Sequence, residues 1–141
     1  MTDLLLALIR RFEGFRAKAY LCPAGYPTQG YGVRVESLDV PPITQEEGER
    51  RLRAIAPRYV RQALAASPGL AENPAALAAI ADFCYNLGPA AYRGSTLRKR
   101  IDAGDFERAA AELQKWVWGG GRKLPGLVAR RAAEASLLAP R

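Results

Sequence analysis

The stretch FEGFRAKAYLCPAGYPTQGYG, residues 12–32, decides how the chain is read. Before it, Thr2 or Asp3 can cap a helix that carries Leu5, Leu8, Ile9 and Phe12 on one side and stops at Gly14. From Phe15 to Val35 the pattern changes. Pro23, Gly25, Pro27, Gly30 and Gly32 are spread among aromatic and β-branched residues, which predicts a small twisted hairpin or sheet closed by Pro41 and Pro42.

Working outward, the rest of the chain reads as helix. Thr44 with Glu47 forms a capping-box pattern, and Pro57 is expected to kink the helix that follows or to begin a new one. Ser67 to Gly69 break the pattern. Asn73-Pro74 is a helix start, the stripe Leu77, Ile80, Cys84, Leu87 follows at helical spacing, and Gly88 is the stop. Ser95 and Asp105 begin two more helices, the second burying Phe106, Ala109, Ala110, Leu113 and Trp116. Gly119 to Gly121 are expected to form a flexible loop, and Pro125 to begin a last helix running to Leu138. Trp116 is read as core. Trp118 is read as packing or as a platform for a sugar ring.

Composition narrows the chemistry. The 141 residues suit one domain or two small lobes sharing a core, and 49% hydrophobic with 25% charged residues is a globular profile. There is no histidine, which removes zinc hydrolases with imidazole ligands, Ser-His-Asp hydrolases and Cys-His peptidases. Two cysteines, Cys22 and Cys84, are too few for a disulfide framework. No metal and no cofactor are expected. The net charge of +7 points to an anionic partner: nucleic acid, an anionic membrane surface or an acidic wall polymer. Nucleic acid is disfavoured because the basic residues are spread, 10 before residue 70 and 11 after it. The apolar run Leu4 to Ile9 is too short to cross a bilayer and lacks the order of a signal peptide, so no stable membrane insertion is expected.

Three residues in or beside the deciding stretch can carry chemistry. Glu13 stands at the first helix's end among Phe12, Gly14 and Phe15. A carboxyl against aromatic rings tends to keep its proton, as a general acid requires, although an ordinary solvated helix end reads the same way. Cys22, in a turn before Pro23, is a candidate reactive thiol, whereas Cys84 sits in a helix stripe. Thr28 lies nearby. By itself it is an ordinary strand residue.

Glu13, Cys22 and Thr28, separated by eight and then five residues, with Gly30-Tyr31-Gly32 after them, resemble the opening motif of the phage-type lysozymes, glycoside hydrolase family 24. The resemblance extends to Asp82-Phe83-Cys84-Tyr85-Asn86-Leu87-Gly88, Ser95-Thr96-Leu97, Leu124-Pro125-Gly126-Leu127, Arg130-Arg131 and Glu134. It implies a mostly helical α+β, lysozyme-like fold of two lobes flanking a cleft. The small β lobe would be residues 14–43, the helical lobe residues 1–13 and 67–141, and 44–66 would include the joining helix. It implies hydrolysis of the β-1,4 bond between N-acetylmuramic acid and N-acetylglucosamine in peptidoglycan, with Glu13 as general acid and Cys22 and Thr28 placing or activating water. The residues expected at the substrate are Asn86, Tyr31 and Arg130, and Arg130 or Arg131 is a candidate partner for Glu13.

Two positions depart from the family pattern. Val33 stands where histidine often follows the Gly-Tyr-Gly motif, and Cys22 replaces the commoner aspartate. The competing readings are a lytic transglycosylase, which needs one carboxyl acid and no attacking water, and a non-catalytic wall- or nucleic-acid-binding module. The enzyme is expected to act as a monomer on glycan strands. It would be made in the cytoplasm without a signal and reach the wall through a holin or another route.

Overall fold

The structure, a computed structural model, describes residues 2–139. Helix α1 spans Asp3–Glu13. A three-stranded antiparallel sheet follows, with β1 (Arg16–Leu21), β2 (Pro27–Gly30) and β3 (Val33–Arg34) in that order. Helix α2 (Gln45–Ala66), a 3-10 turn (Pro68–Glu72), and helices α3 (Pro74–Leu87), α4 (Pro89–Arg93), α5 (Thr96–Asp102) and α6 (Phe106–Leu113) come next. A two-stranded hairpin, β4 (Trp118–Gly119) and β5 (Arg122–Lys123), precedes α7 (Pro125–Ser136). The fold is α+β and mostly helical, as expected.

Local chemistry explains most helix starts. Thr44, Asn73, Ser95 and Asp105 each accept a bond from the backbone N–H three residues on, at 3.1, 3.1, 3.1 and 3.2 Å. Pro57 starts no new helix: α2 runs through it, which leaves the first of the two expected outcomes, a proline within the helix. A proline within a helix forfeits one intrahelical bond, and the remaining turns carry the element. The expected flexible loop at Gly119–Gly121 is instead a tight hairpin turn. Gly120 and Gly121 have φ of +59° and +78°, the pair of left-handed residues that a two-residue turn between antiparallel strands demands. Trp118, at its edge, is 62% exposed and so is not packing. Trp116 is half-buried and meets the Phe83 ring edge-on at 5.3 Å.

Contacts divide the chain into two compact units. Leu6–Pro57 form one; Arg58 onward, with the residues up to Leu5, form the other. The first takes most of α1, which the sequence reading had assigned wholly to the helical lobe. Arg10 explains this, because its guanidinium grips Glu49 of α2 within that unit, Nε to Oε1 at 2.7 Å.

Within the small unit, Gln29 of β2 is buried. Its amide N–H groups donate to the carbonyls of Ala17 (2.9 Å) and Pro41 (2.8 Å), and its Oε1 accepts from Arg51 (3.0 Å). The amide thus ties β2 to β1, to the segment after the sheet and to α2.

The other unit is built around α3, in which every residue from Ala76 to Cys84 is buried. A helix apolar on all sides needs covering on all sides. Contacts from the 3-10 turn, α4 and α7 supply the cover.

Candidate active site

Glu13 ends α1 because Gly14, at φ +68°, turns the chain away there. Its half-buried carboxyl lies against Gly32. A Cβ on Gly32 would meet Glu13 Oε1 at 2.6 Å, and the φ of +83° already calls for glycine. The second glycine of the Gly-Tyr-Gly motif is therefore the space in which the carboxyl rests.

Tyr20 of β1 lies within electrostatic reach of Glu13. Burial raises its phenol pKa first, the charge of Glu13 raises it next and Cys22 raises it further, while Arg16 opposes them. The Arg16 guanidinium lies over the Tyr20 ring at 4.2 Å. Tyr20 pairs with Thr28 across β1 and β2, and Thr28 pairs with Arg34 across β2 and β3. Residues directly opposite in an antiparallel sheet point to the same face, so Tyr20, Thr28 and Arg34 form one row.

Cys22 opens the turn between β1 and β2. Its N–H donates to the Tyr26 carbonyl at 3.0 Å, and its carbonyl accepts from Gly25 N–H at 2.8 Å. Burial pushes the thiol pKa up. Hydrogen bonds from the Tyr26 amide, the Thr28 hydroxyl and the Ala24 and Gly25 amides pull it down, and they prevail, leaving the group below its usual value. Thr28 is 3% exposed, and its hydroxyl donates to the Tyr26 carbonyl at 2.8 Å, so its single hydrogen serves either that carbonyl or the Cys22 sulfur at any moment. Cys84 is the opposite case: burial first, then the charge of Glu134, pushes its thiol to about 12. Iodoacetamide near neutral pH is therefore expected to alkylate Cys22 and spare Cys84, adding a single carbamidomethyl group to the intact protein. Peptide mapping by mass spectrometry checks this.

Two of the residues expected at the substrate, Tyr31 and Arg130, are buried. Tyr31 is 5% exposed; its ring packs on Phe15 at 5.6 Å, and Gln45 donates to its hydroxyl at 3.1 Å. Arg130 is 4% exposed and forks onto Asp82, with Nε to Oδ2 at 2.9 Å and Nη2 to Oδ1 at 2.8 Å. In this structure both side chains make these contacts within the fold, and both are about as buried as Thr28. Asn86 is half-buried, and its Oδ1 accepts from Arg131 at 2.7 Å. That bond settles the amide's orientation and leaves its NH₂ as the donor end.

Sequence reasoning missed the charged quartet around these residues. Asp82, Arg131 and Glu134 are 0% exposed and Arg130 nearly so. Arg131 also pairs with Glu134, Nε to Oε1 at 2.8 Å, and lies over the Phe83 ring at 5.1 Å. Burial raises the Glu134 pKa well above the usual range, and its hydrogen bond to Asp82 adds to this. Asp82 is lowered, because the bonds from Arg130 and Glu134 outweigh its own burial. The two buried carboxyls are thus pushed in opposite directions, Glu134 up and Asp82 down. The available signal was Asp82 itself, the one acid in a helix whose other buried residues are apolar.

The sequence profile of the phage lysozyme family matches residues 10–134. The chain belongs to the phage lysozyme family. An endolysin of Acyrthosiphon pisum secondary endosymbiont phage 1 is 41% identical over 138 residues, a match covering 94% of this chain and 92% of that one. An endolysin of Bacillus phage B103 is 36% identical over 135 residues, covering 92% of this chain and 50% of the relative, so the chain spans about half of that protein's length. Among solved structures, the muramidase domain of SpmX from Asticaccaulis excentricus superposes with a TM-score of 0.84 at 27% identity, covering 99% of this chain and 97% of that one. As a phage lysozyme the chain is a glycoside hydrolase of the muramidase type, and its substrate is peptidoglycan. Among the described residues, no helix is long and apolar enough to cross a membrane, and no group of three or more acidic or cysteine residues is placed to hold a metal.

Proposed function

We propose that this muramidase works through Glu13 as general acid, with Cys22 and Thr28 holding and activating the water that attacks the sugar. The observation that carries this reading is that the Glu13 carboxyl lies against Gly32, just after β2, while Cys22 opens the β1–β2 turn and Thr28 sits on β2, so all three proposed groups belong to the small unit around one hairpin. Glycoside hydrolysis needs a proton for the leaving oxygen and an oxygen nucleophile for the anomeric carbon. Glu13 is the carboxyl that gives the proton. Backbone amides and the Thr28 side chain hold the Cys22 pKa below its usual value, which favours the thiolate, the form that acts as a base towards water. The Thr28 hydroxyl, anchored at the Tyr26 carbonyl, fixes where that water sits.

In the other unit, the NH₂ of Asn86, oriented by Arg131, suits the carbonyl of an N-acetyl group. The enzyme acts on the cell wall, as phage endolysins do. We place its synthesis in the cytoplasm, its release through a holin-type route, and its action there as a monomer.

Digestion of purified murein sacculi is the test. The expected products are muropeptides with reducing ends, read by borohydride reduction and mass spectrometry. Anhydro ends would replace the attacking water with an internal hydroxyl and remove the role of Cys22 and Thr28. Intact sacculi would remove the catalytic reading altogether.

A further inference from the structure

Arg34 is a cation of the small unit that the hydrolytic mechanism leaves unused. It is exposed and lies directly across from Thr28 in the β2–β3 ladder, so its side chain rises from the same face as the proposed water-holding hydroxyl. Its guanidinium stacks on the Tyr26 ring at 3.6 Å. Tyr26 is the residue whose carbonyl anchors Thr28 and whose amide bonds the Cys22 thiol. Stacking uses the flat side of a guanidinium and leaves its in-plane N–H donors available, in a fork that matches a carboxylate.

The surroundings are cationic as well. Arg16 and Lys18 of β1 are exposed, and from Gly14 to Val35 the chain contains no carboxylate. Among the described residues, neither Arg16 nor Arg34 makes a salt bridge; their ring contacts, with Tyr20 and Tyr26, leave their charges unneutralised.

The substrate supplies what this face lacks. Where a stem peptide is attached, the lactyl group of the muramoyl sugar is an amide, so the glycan itself is neutral. The negative charges of the polymer are then the free carboxylates of the peptide. We infer that Arg34, held flat on Tyr26 beside Thr28, binds a stem-peptide carboxylate and makes the enzyme selective for peptide-substituted glycan.

This assignment rests on the muramidase reading, and the test keeps the two apart. Murein is compared with the same murein after its carboxylates are converted to amides with carbodiimide and ammonia, a treatment that leaves the glycosidic bonds intact. Reducing ends are followed for the wild type, Arg34→Gln and Arg34→Lys, with thermal melting of each. The wild type is expected to favour native over amidated murein by about tenfold in kcat/KM, mainly through KM, the size of one good charge-assisted contact. In Arg34→Gln that ratio falls towards one, and Arg34→Lys restores much of it.

A wild type with no preference overturns the assignment. So does an Arg34→Gln variant that keeps the preference, which would credit other cations, or one that loses the same factor on both substrates, which would make Arg34 a packing partner of Tyr26. If the wild type releases no reducing ends from either murein, the failure lies in the muramidase reading, and this assignment falls with it.

Discussion

Glu13→Gln is expected to release reducing ends from murein roughly 10²- to 10⁴-fold more slowly than the wild type. The amide has nearly the shape of the carboxyl, so it should still rest against Gly32 and leave α1 and the sheet in place. What it loses is the transferable proton. Without acid assistance, the leaving sugar must depart as an alkoxide, and positioning and water activation at Cys22 and Thr28 do not offset that. Melting temperature and far-ultraviolet circular dichroism should be unchanged, which separates a chemical defect from a folding one. Retention of more than a tenth of the wild-type rate would place the acid elsewhere.

Arg130→Met is expected to cost about 3–5 kcal/mol of stability, because it strands the wholly buried Asp82 carboxylate without its fork. For a chain of this size that lowers Tm by roughly 10–15 °C in a calorimetric scan. The double variant Arg130→Met with Asp82→Leu should recover most of the loss, since it is the unpaired charge that is costly. A single variant that melts with the wild type would show that Asp82 finds another donor.

The quartet also gives stability a pH signature. The Glu134 pKa is raised in the folded chain, so the stability it contributes is complete below its unfolded value near 4.5 and is lost as pH rises through the folded value. Asp82, lowered by its partners, works in the other direction: its contribution is present above about 3.8 and is lost as pH falls through its folded value. Wild-type Tm should therefore fall relative to that of Glu134→Gln as pH rises from about 4.5 towards the raised folded value.

What the sequence disclosed was mostly local chemistry. Asn73-Pro74, Ser95, Asp105 and Thr44 cap helices where their side chains predict, because a cap needs only the next few residues. Cys22 lies in an accessible turn and Cys84 in a buried stripe, as their neighbours implied. Contacts between distant segments could not be read in this way. Arg130 finds Asp82 across 48 positions, and no spacing rule announces that pair. Tyr31 belonged to a recognisable motif, yet whether its ring met a ligand or Phe15 depended on how the sheet folded against its surroundings. Pro57 reads as a kink or a new helix start, and the glycines at 119–121 as a flexible loop. Each is absorbed by an element whose remaining bonds or strand twist accommodate it.

Gln29 has a consequence for anyone who would transplant this chemistry. Thr28 and its neighbour face opposite ways, so a slip of one residue would exchange them and aim an amide where the hydroxyl belongs. The alignment is guarded from outside the strand, by Ala17, Pro41 and Arg51. A peptide covering residues 12–34 would carry every proposed reacting group but leave two of those three anchors behind, and a minimal catalyst should be cut no shorter than Arg51.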